Sequence, residues 1–485
     1  MSTRSAALPP PDSHRPAAAR AGGNGAAAGV PDAEAPDADP REAAVAASVA
    51  RNLNHNRICN ALGEGLWGML SGFITSATVM PALLVKLHAS DLEKGVLTAV
   101  ELLGLLLPGL LGVYLLAEIK RYKRDLVLFH LITCFPLLAG TGLLIQFSGA
   151  LPSWLVRAGV LAGFGLFSGT IGFIAPTWFH WLAALFPVKH RGQSLSYAVM
   201  LSALSSAAAT FLASEAIGGR YIGWLRDHPL PYPLNFSLLF YAAAALVFLS
   251  MVCFVFVREP PAIPASGVRR DWRDIFAKFR WSLSEPNFRR FLIGRVAEYA
   301  AISCLGFFGY YFMLPEGGNL SEGAVTLYGA VMPVMTALFG LAAGRIGDRH
   351  GHKLGKALGT LWMVLAFALI LFVPFTQLTS GWVIFWVLTI FALRGMFFGS
   401  MYSGFNFIFE SCPHDSLTVH VTASNVVVGL FAGAAGVAAG QALDWVGHRP
   451  IYWAGLAASL FALIWLVAMV KDPRDAAAAA SASKA

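Results

Sequence analysis

Between Arg57 and Val470 the sequence is a succession of apolar runs, each long enough to cross a bilayer as a helix. They read as Arg57–Lys86, Gly95–Leu116, Leu126–Phe147, Trp154–Trp178, Gln193–Ile217 and Asn235–Val257, then Phe288–Leu314, Ala324–Gly344, Ala357–Phe375, Gly381–Phe409, Val419–Val446 and Ile451–Val470. In hydrocarbon every backbone polar group must be satisfied inside the protein, which leaves helices or closed barrels, and runs of this length are helices. Only 13 % of residues are charged, where a soluble domain carries about 25 %, and mean hydropathy is +0.62. The expected class is an all-α polytopic membrane protein with twelve transmembrane helices in two six-helix, pseudo-symmetric halves.

Composition divides the chain further. Residues 1–50 are rich in Ala, Pro and Gly and are expected to be a disordered tail, since they cannot bury enough apolar surface to fold. That tail also lacks the apolar core of a signal peptide, so the first membrane helix must direct insertion. The halves are expected over residues 57–257 and 288–470, and the alanine- and serine-rich residues 471–485 as a second disordered tail. Residues 258–287 are a basic linker. Within it Asp271 to Leu283 places aromatics at helical spacing with basic residues between them, the pattern of an amphipathic helix on a membrane surface.

The net charge of +8 comes from loops on one side of the helices, not from a basic groove interleaved with aromatics, so nucleic acid is not an expected partner. Lys120, Arg121, Lys123, Arg124, Lys189, Arg191, Arg258, Arg269, Arg270, Arg273, Lys278 and Arg280 all fall on that side, as do Arg345, Arg349, Lys353 and Lys356. The opposite loops hold Lys86, Lys94, Arg220, Arg226 and Arg449. Positive charge is retained inside, so both termini are expected to be cytoplasmic. The five cysteines have neither disulfide nor metal-ligand spacing. No H-E-x-x-H, G-x-S-x-G or Walker sequence occurs, and Gly163-Phe-Gly165 lies inside an apolar run. No enzyme, cofactor or metal site is therefore expected.

One loop carries a motif. Gly344-Arg-Ile-Gly-Asp-Arg-His-Gly-His-Lys-Leu-Gly-Lys356 joins two apolar runs, and its order G-x-x-x-D-R-x-G-x-K resembles the cytoplasmic signature loop of the major facilitator superfamily of secondary transporters. A weaker copy, Leu115 to Asp125, puts Glu118 opposite Asp348. Phe186-Pro-Val-Lys-His-Arg-Gly192 is also similar to the superfamily after its fourth helix. The resemblance covers about Arg57 to Val470. It implies alternating access around a site between the halves, a small-molecule solute, a coupling ion such as the proton, and a monomer in a bacterial-type inner membrane. It also implies a gate built from Glu118, Gly344, Asp348, Arg349, Gly351, Lys353 and Glu410. In the outward-facing state Asp348 would cap the fifth helix near Gln193 and Ser194, and Arg349 would pair with Glu410. Both contacts would loosen in the inward-facing state. The fifth helix lacks the Gly-Pro motif of drug–proton antiporters, which tells against multidrug efflux.

Ionisable groups inside a bilayer are costly, so each is a candidate. The first helix carries Glu64, Gly68, Ser71 and Thr75 on one stripe, and the second carries Glu101. Ser168, Thr170, Thr177 and, past the fourth run, His180 add polarity. Helix seven holds Arg295, Glu298, Tyr299 and Ser303, and helix ten holds Arg394, Tyr402, Ser403 and Asn406. The resemblance implies that helices one, four, seven and ten line the cavity. Each residue has a plainer alternative: Arg295 and Glu298 could neutralise each other at i,i+3, and Glu64 could snorkel to water. Ser202 to Ala209 and Gly429, Gly433, Gly436 and Gly440 read as close helix packing. The reading is a secondary transporter of a small organic, anionic solute, with Glu64 or Glu298 as the proton carrier. The alternative is a non-transporting sensor on the same scaffold.

Overall fold

The computed structural model describes residues 40–116, 119–261, 271–412 and 417–474. Glu118, Arg269, Arg270 and most of both tails lie outside the described residues. The chain clusters into one unit up to Ala43 and another over Ala44–Ala485, and the second carries the membrane spans. Among the described residues all regular structure is helical. The last part of the supposed tail is the helix Pro40–Arg51, whose alanines and straight-chain residues are strong helix formers.

Among the described residues, eleven helical stretches are long and apolar enough to cross a membrane. The remaining one is the first span, Leu53–Phe73 continued by Val79–Lys86, whose Asn56, Arg57, Asn60 and Glu64 lower its hydropathy. The other spans, numbered in order, are Asp91–Leu115, Tyr122–Gln146, Ser153–Ala184, His190–Asp227, Leu234–Val255, Pro286–Met313, Pro315–His350, His352–Phe372, Ser380–Ser411, Val419–Val446 and His448–Met469. The fourth span extends through His180 to Ala184. The fifth helix starts at Val188, earlier than the apolar run shows, because the segment from Val188 to Arg191 is helical although polar.

Several spans are broken. The first is interrupted between Phe73 and Val79, ahead of Pro81, whose ring cannot follow a continuous helix. The second breaks at Leu107 and Pro108, the seventh between Leu305 and Phe308, the eighth at Ala330 and the tenth at Ser400. Irregular backbone at membrane depth survives only where protein or a water-filled cavity covers it. Elsewhere small residues bring helices together. A Cβ on Gly68 would lie 2.1 Å from the Ser202 carbonyl oxygen, and one on Gly95 would lie 2.5 Å from that of Gly436. Spans one and five, and two and eleven, therefore pack backbone to backbone.

The halves meet at the end opposite the Gly344–Lys356 loop. There Lys86 pairs with Glu322 at 3.0 Å, and a Cβ on Gly323 would come within 2.9 Å of the Gly218 Cα. At the loop end Asp348, Arg349 and His350 are exposed, while Tyr402 on the inner wall is 51 % exposed. The cleft is thus closed at one end and open at the other. The linker helix, Trp272–Ser284, is capped by Asp271, whose carboxylate accepts from the Arg273 N–H at 2.9 Å. It packs on protein as well as facing outward: Ile275 and Ser282 are buried, Trp272 stacks on Tyr114 at 4.1 Å, and Phe276 stays exposed.

Candidate functional site

The broken helices surround a cavity of about 500 Å³ between the halves. Span one contributes Trp67, Ser71, Thr75 and Ser76, span two Thr98 and Glu101, and span ten Arg394, Phe398 and Tyr402. The break in span one turns the Ser76 hydroxyl toward span two, where it donates to Glu101 Oε1 at 2.7 Å. From the other half Arg394, 5 % exposed, enters just before the break at Ser400. Its Nε and Nη1 have no hydrogen-bond partner among the described residues, and its guanidinium lies over the Phe398 ring at 5.9 Å. Glu101 and Arg394 interact electrostatically across the cavity without closing into an ion pair. The result is a buried, unsatisfied cation facing a carboxylate that is already held, a place where an acceptor-bearing ligand would be welcome.

Gly68, Ser71, Thr75, Glu101, Ser168, Arg394 and Tyr402 line this cavity; Glu64, Arg295, Glu298, Tyr299 and Asn406 do not. Asn406 is half-buried outside its wall. Glu64 faces a separate chamber inside the first half and accepts from Trp178 Nε1 at 3.3 Å.

Arg295 and Glu298 do not form the i,i+3 pair that was the plainer alternative for them. Glu298 Oε1 instead takes the Lys356 ammonium at 2.6 Å and the Thr360 hydroxyl at 2.9 Å, and Glu298 and Lys356 are 2 % and 3 % exposed. The Arg295 guanidinium turns away, donating to Ser424 at 2.9 Å and Tyr299 at 3.3 Å. Lys356 is correspondingly not a loop charge. Helix nine starts at His352, so Lys356 lies one turn inside it and points into the second half. Sequence reasoning missed it because it ends a basic loop; the signal was its i,i+4 spacing to Thr360.

The sequence matches the family profile described as Major Facilitator Superfamily over residues 65–437. The chain belongs to that family. Among solved structures, a mutant of the nucleoside transporter NupG aligns with TM-score 0.62 at 15 % identity, covering 86 % of this chain and 100 % of that one. The E. coli xylose transporter XylE, in a partially occluded inward-open conformation, aligns with TM-score 0.59 at 17 % identity over 86 % and 97 %. The E. coli fucose:proton symporter FucP aligns with TM-score 0.55 at 13 % identity over 85 % and 97 %. At such identities the likeness is one of fold. No curated protein matches the sequence.

In this facilitator the signature loop sits at the open end of the cleft. Helix eight ends at His350, and Gly351 reverses the chain with φ +91°, a conformation that favours glycine. The Asp348 side chain is 79 % exposed, and Gly344 has no neighbour where a Cβ would be. Lys353 donates to the Val467 carbonyl at 3.0 Å. Glu410 is engaged by Arg474 at 2.6 Å, and the same guanidinium donates to the Asp348 carbonyl at 2.9 Å. The residues just after span twelve, expected to belong to a disordered tail, are therefore tied to this loop. Among the described residues no side chain caps the fifth helix at its start.

Proposed function

We propose that this protein is a secondary transporter, not an enzyme, that moves a small anionic organic solute across a bacterial-type cytoplasmic membrane by alternating access. Both termini lie in the cytoplasm, which makes the conformation seen here inward-facing. The observation that carries the reading is Arg394, a nearly buried guanidinium with two unpartnered nitrogens on the wall of a solute-sized cavity. A carboxylate, phosphate or sulfonate on the solute would complete its hydrogen bonds. Glu101, on the opposite half, is the proton carrier we favour. It lines the same cavity and senses Arg394, whereas Glu298 is held by Lys356 away from it. Protonation of Glu101 would remove the competing negative charge and let the anion approach Arg394, so proton and anion would enter together. The fucose:proton symporter among the structural neighbours agrees with proton coupling.

The test is uptake into proteoliposomes across a panel of small organic anions, with and without an imposed pH gradient. Arg394→Ala should abolish uptake while the protein still purifies as a folded species, and Glu101→Gln should flatten its dependence on the gradient. Normal uptake by Arg394→Ala would remove the anion site. The absence of any flux, with ligand binding intact, would favour a sensor.

A further inference from the structure

The first half contains a second chamber, of about 150 Å³, between spans one, three, four and six. Its walls are aromatic: Trp67, Trp178, Phe179 and Phe254. Two polar side chains line it. One is Glu64, which accepts the Trp178 indole N–H and has no cationic partner among the described residues. The other is His130, only 5 % exposed, wedged edge-on between Trp67 at 5.3 Å and Trp178 at 5.2 Å. His130 Nδ1 lies 2.8 Å from the Leu126 carbonyl oxygen, which can only accept. The proton is thereby placed on Nδ1, and in the neutral ring Nε2 is an acceptor with no protein donor among the described residues.

The chamber therefore offers two acceptors, a carboxylate and an imidazole nitrogen, and of its two indole donors that of Trp178 is already in use. Leaving acceptors bare in an apolar enclosure is costly, and an unpaired carboxylate among π faces calls for positive charge. A metal cation would need several oxygen ligands, and among the described residues no cluster of metal-ligating side chains exists. A small organic cation with N–H groups answers every feature at once.

We propose that this chamber binds a small primary ammonium ion of about methylammonium size. Its N–H groups donate to Glu64 and to His130 Nε2, and its alkyl part packs against Trp67, Trp178 and Phe254. The site adjoins the central cavity, because Gly68, one helical turn after Glu64, lines that cavity. Trp67 and Ile171 line both chambers and form the partition. Ligand in the annex would thus bear on the wall of the solute cavity. The proposal rests on the first half alone and does not depend on an anion at Arg394.

The test is calorimetric titration of the full chain in lipid nanodiscs with methylammonium chloride, against sodium chloride and tetramethylammonium chloride at equal ionic strength. Methylammonium should bind saturably and sodium should not. Tetramethylammonium, which has no N–H, should bind at least tenfold more weakly, roughly the loss expected for charge-assisted hydrogen bonds. Glu64→Gln should weaken methylammonium by about tenfold or more, and His130→Phe, which keeps an aromatic wall, by a few-fold. Arg394→Ala should leave it unchanged, which separates this result from the fate of the anion site. Absence of saturable heat in the unsubstituted protein up to about 10 mM overturns the proposal. So does equal binding of tetramethylammonium, or binding indifferent to both Glu64→Gln and His130→Phe.

Discussion

Replacing Lys356 with Met removes one partner of an ion pair that is sealed inside the second half. The ammonium lies 2.6 Å from Glu298 Oε1, and neither side chain is more than 3 % exposed. Their attraction at an effective dielectric constant of 20 is about 6 kcal/mol. Desolvating each ion costs several kcal/mol, so the intact pair contributes little net stability, while removing one partner typically costs about 3–5 kcal/mol. Lys356→Met leaves the carboxylate with the Thr360 hydroxyl and with Arg295 nearby, so its cost should fall at the lower end, about 3 kcal/mol. Glu298→Gln leaves two buried cations and no carboxylate in that cluster, so about 4–5 kcal/mol is expected. The double variant retains only Arg295, with its bonds to Ser424 and Tyr299, and should cost well under the sum. The coupling energy should be at least about 2 kcal/mol. The assay is a double-mutant cycle on unfolding in mixed micelles of increasing denaturing-detergent content, read by circular dichroism. Additivity within about 0.5 kcal/mol would refute the pairing and return Lys356 to the loop.

Two further outcomes follow from the two ends of the cleft. Gly323→Leu should prevent spans five and eight from closing, since even a Cβ meets the Gly218 backbone at 2.9 Å; distances between spin labels at Lys86 and Glu322 should lengthen, and unchanged distances would mean that the glycine contact does not hold that end shut. Arg474→Ala should free Glu410 and shift the open–closed balance at the loop end by no more than about fivefold, because a partly exposed pair is worth about 0.2–1 kcal/mol; label distances across that mouth would show it, and a population change beyond tenfold would contradict this weak-pair reading.

The spans were legible because a membrane penalises polar backbone uniformly, so long apolar runs leave no other fold. The cavity wall was partly legible for a related reason: a Glu101 or an Arg394 is tolerated within such a run only where water or a partner receives it, and both do face the cavity. What sequence could not supply is direction around a helix and the partner across it. Arg295 and Glu298 share a turn, yet the guanidinium is drawn to Ser424 on span eleven and the carboxylate to Lys356 on span nine. The helix breaks are similarly hidden. Pro81 and Pro108 announce two of them, but the break at Ser400 has no proline, only the weaker signal of the Gly399–Ser400 pair. His130 reads as an ordinary residue in an apolar run until its Leu126 bond and its two tryptophan neighbours are seen together.

The two ends of the cleft are held by different forces, and that difference bears on how such a molecule can switch. The shut end rests on glycine backbones in van der Waals contact, reinforced by the half-exposed Lys86–Glu322 pair. Contact of that kind is short-ranged: a gap of an ångström forfeits much of it, so the end is either closed or open, with little between. The loop end has exposed charges instead, Asp348, Arg349 and the Glu410–Arg474 pair, whose interactions reach further and are screened by salt. Neither end needs to contribute more than a few kcal/mol, because that is enough to reverse a two-state population. The lever that could couple such a switch to a solute lies between them. Glu101 belongs to one half and Arg394 to the other, so a ligand engaging both would interact differently with each arrangement of the halves. Differential interaction is what a ligand must supply to shift the equilibrium, and a site confined to one half could not supply it directly. The buried Glu298–Lys356 pair lies within one half, whereas Arg394 lines the cavity between the two.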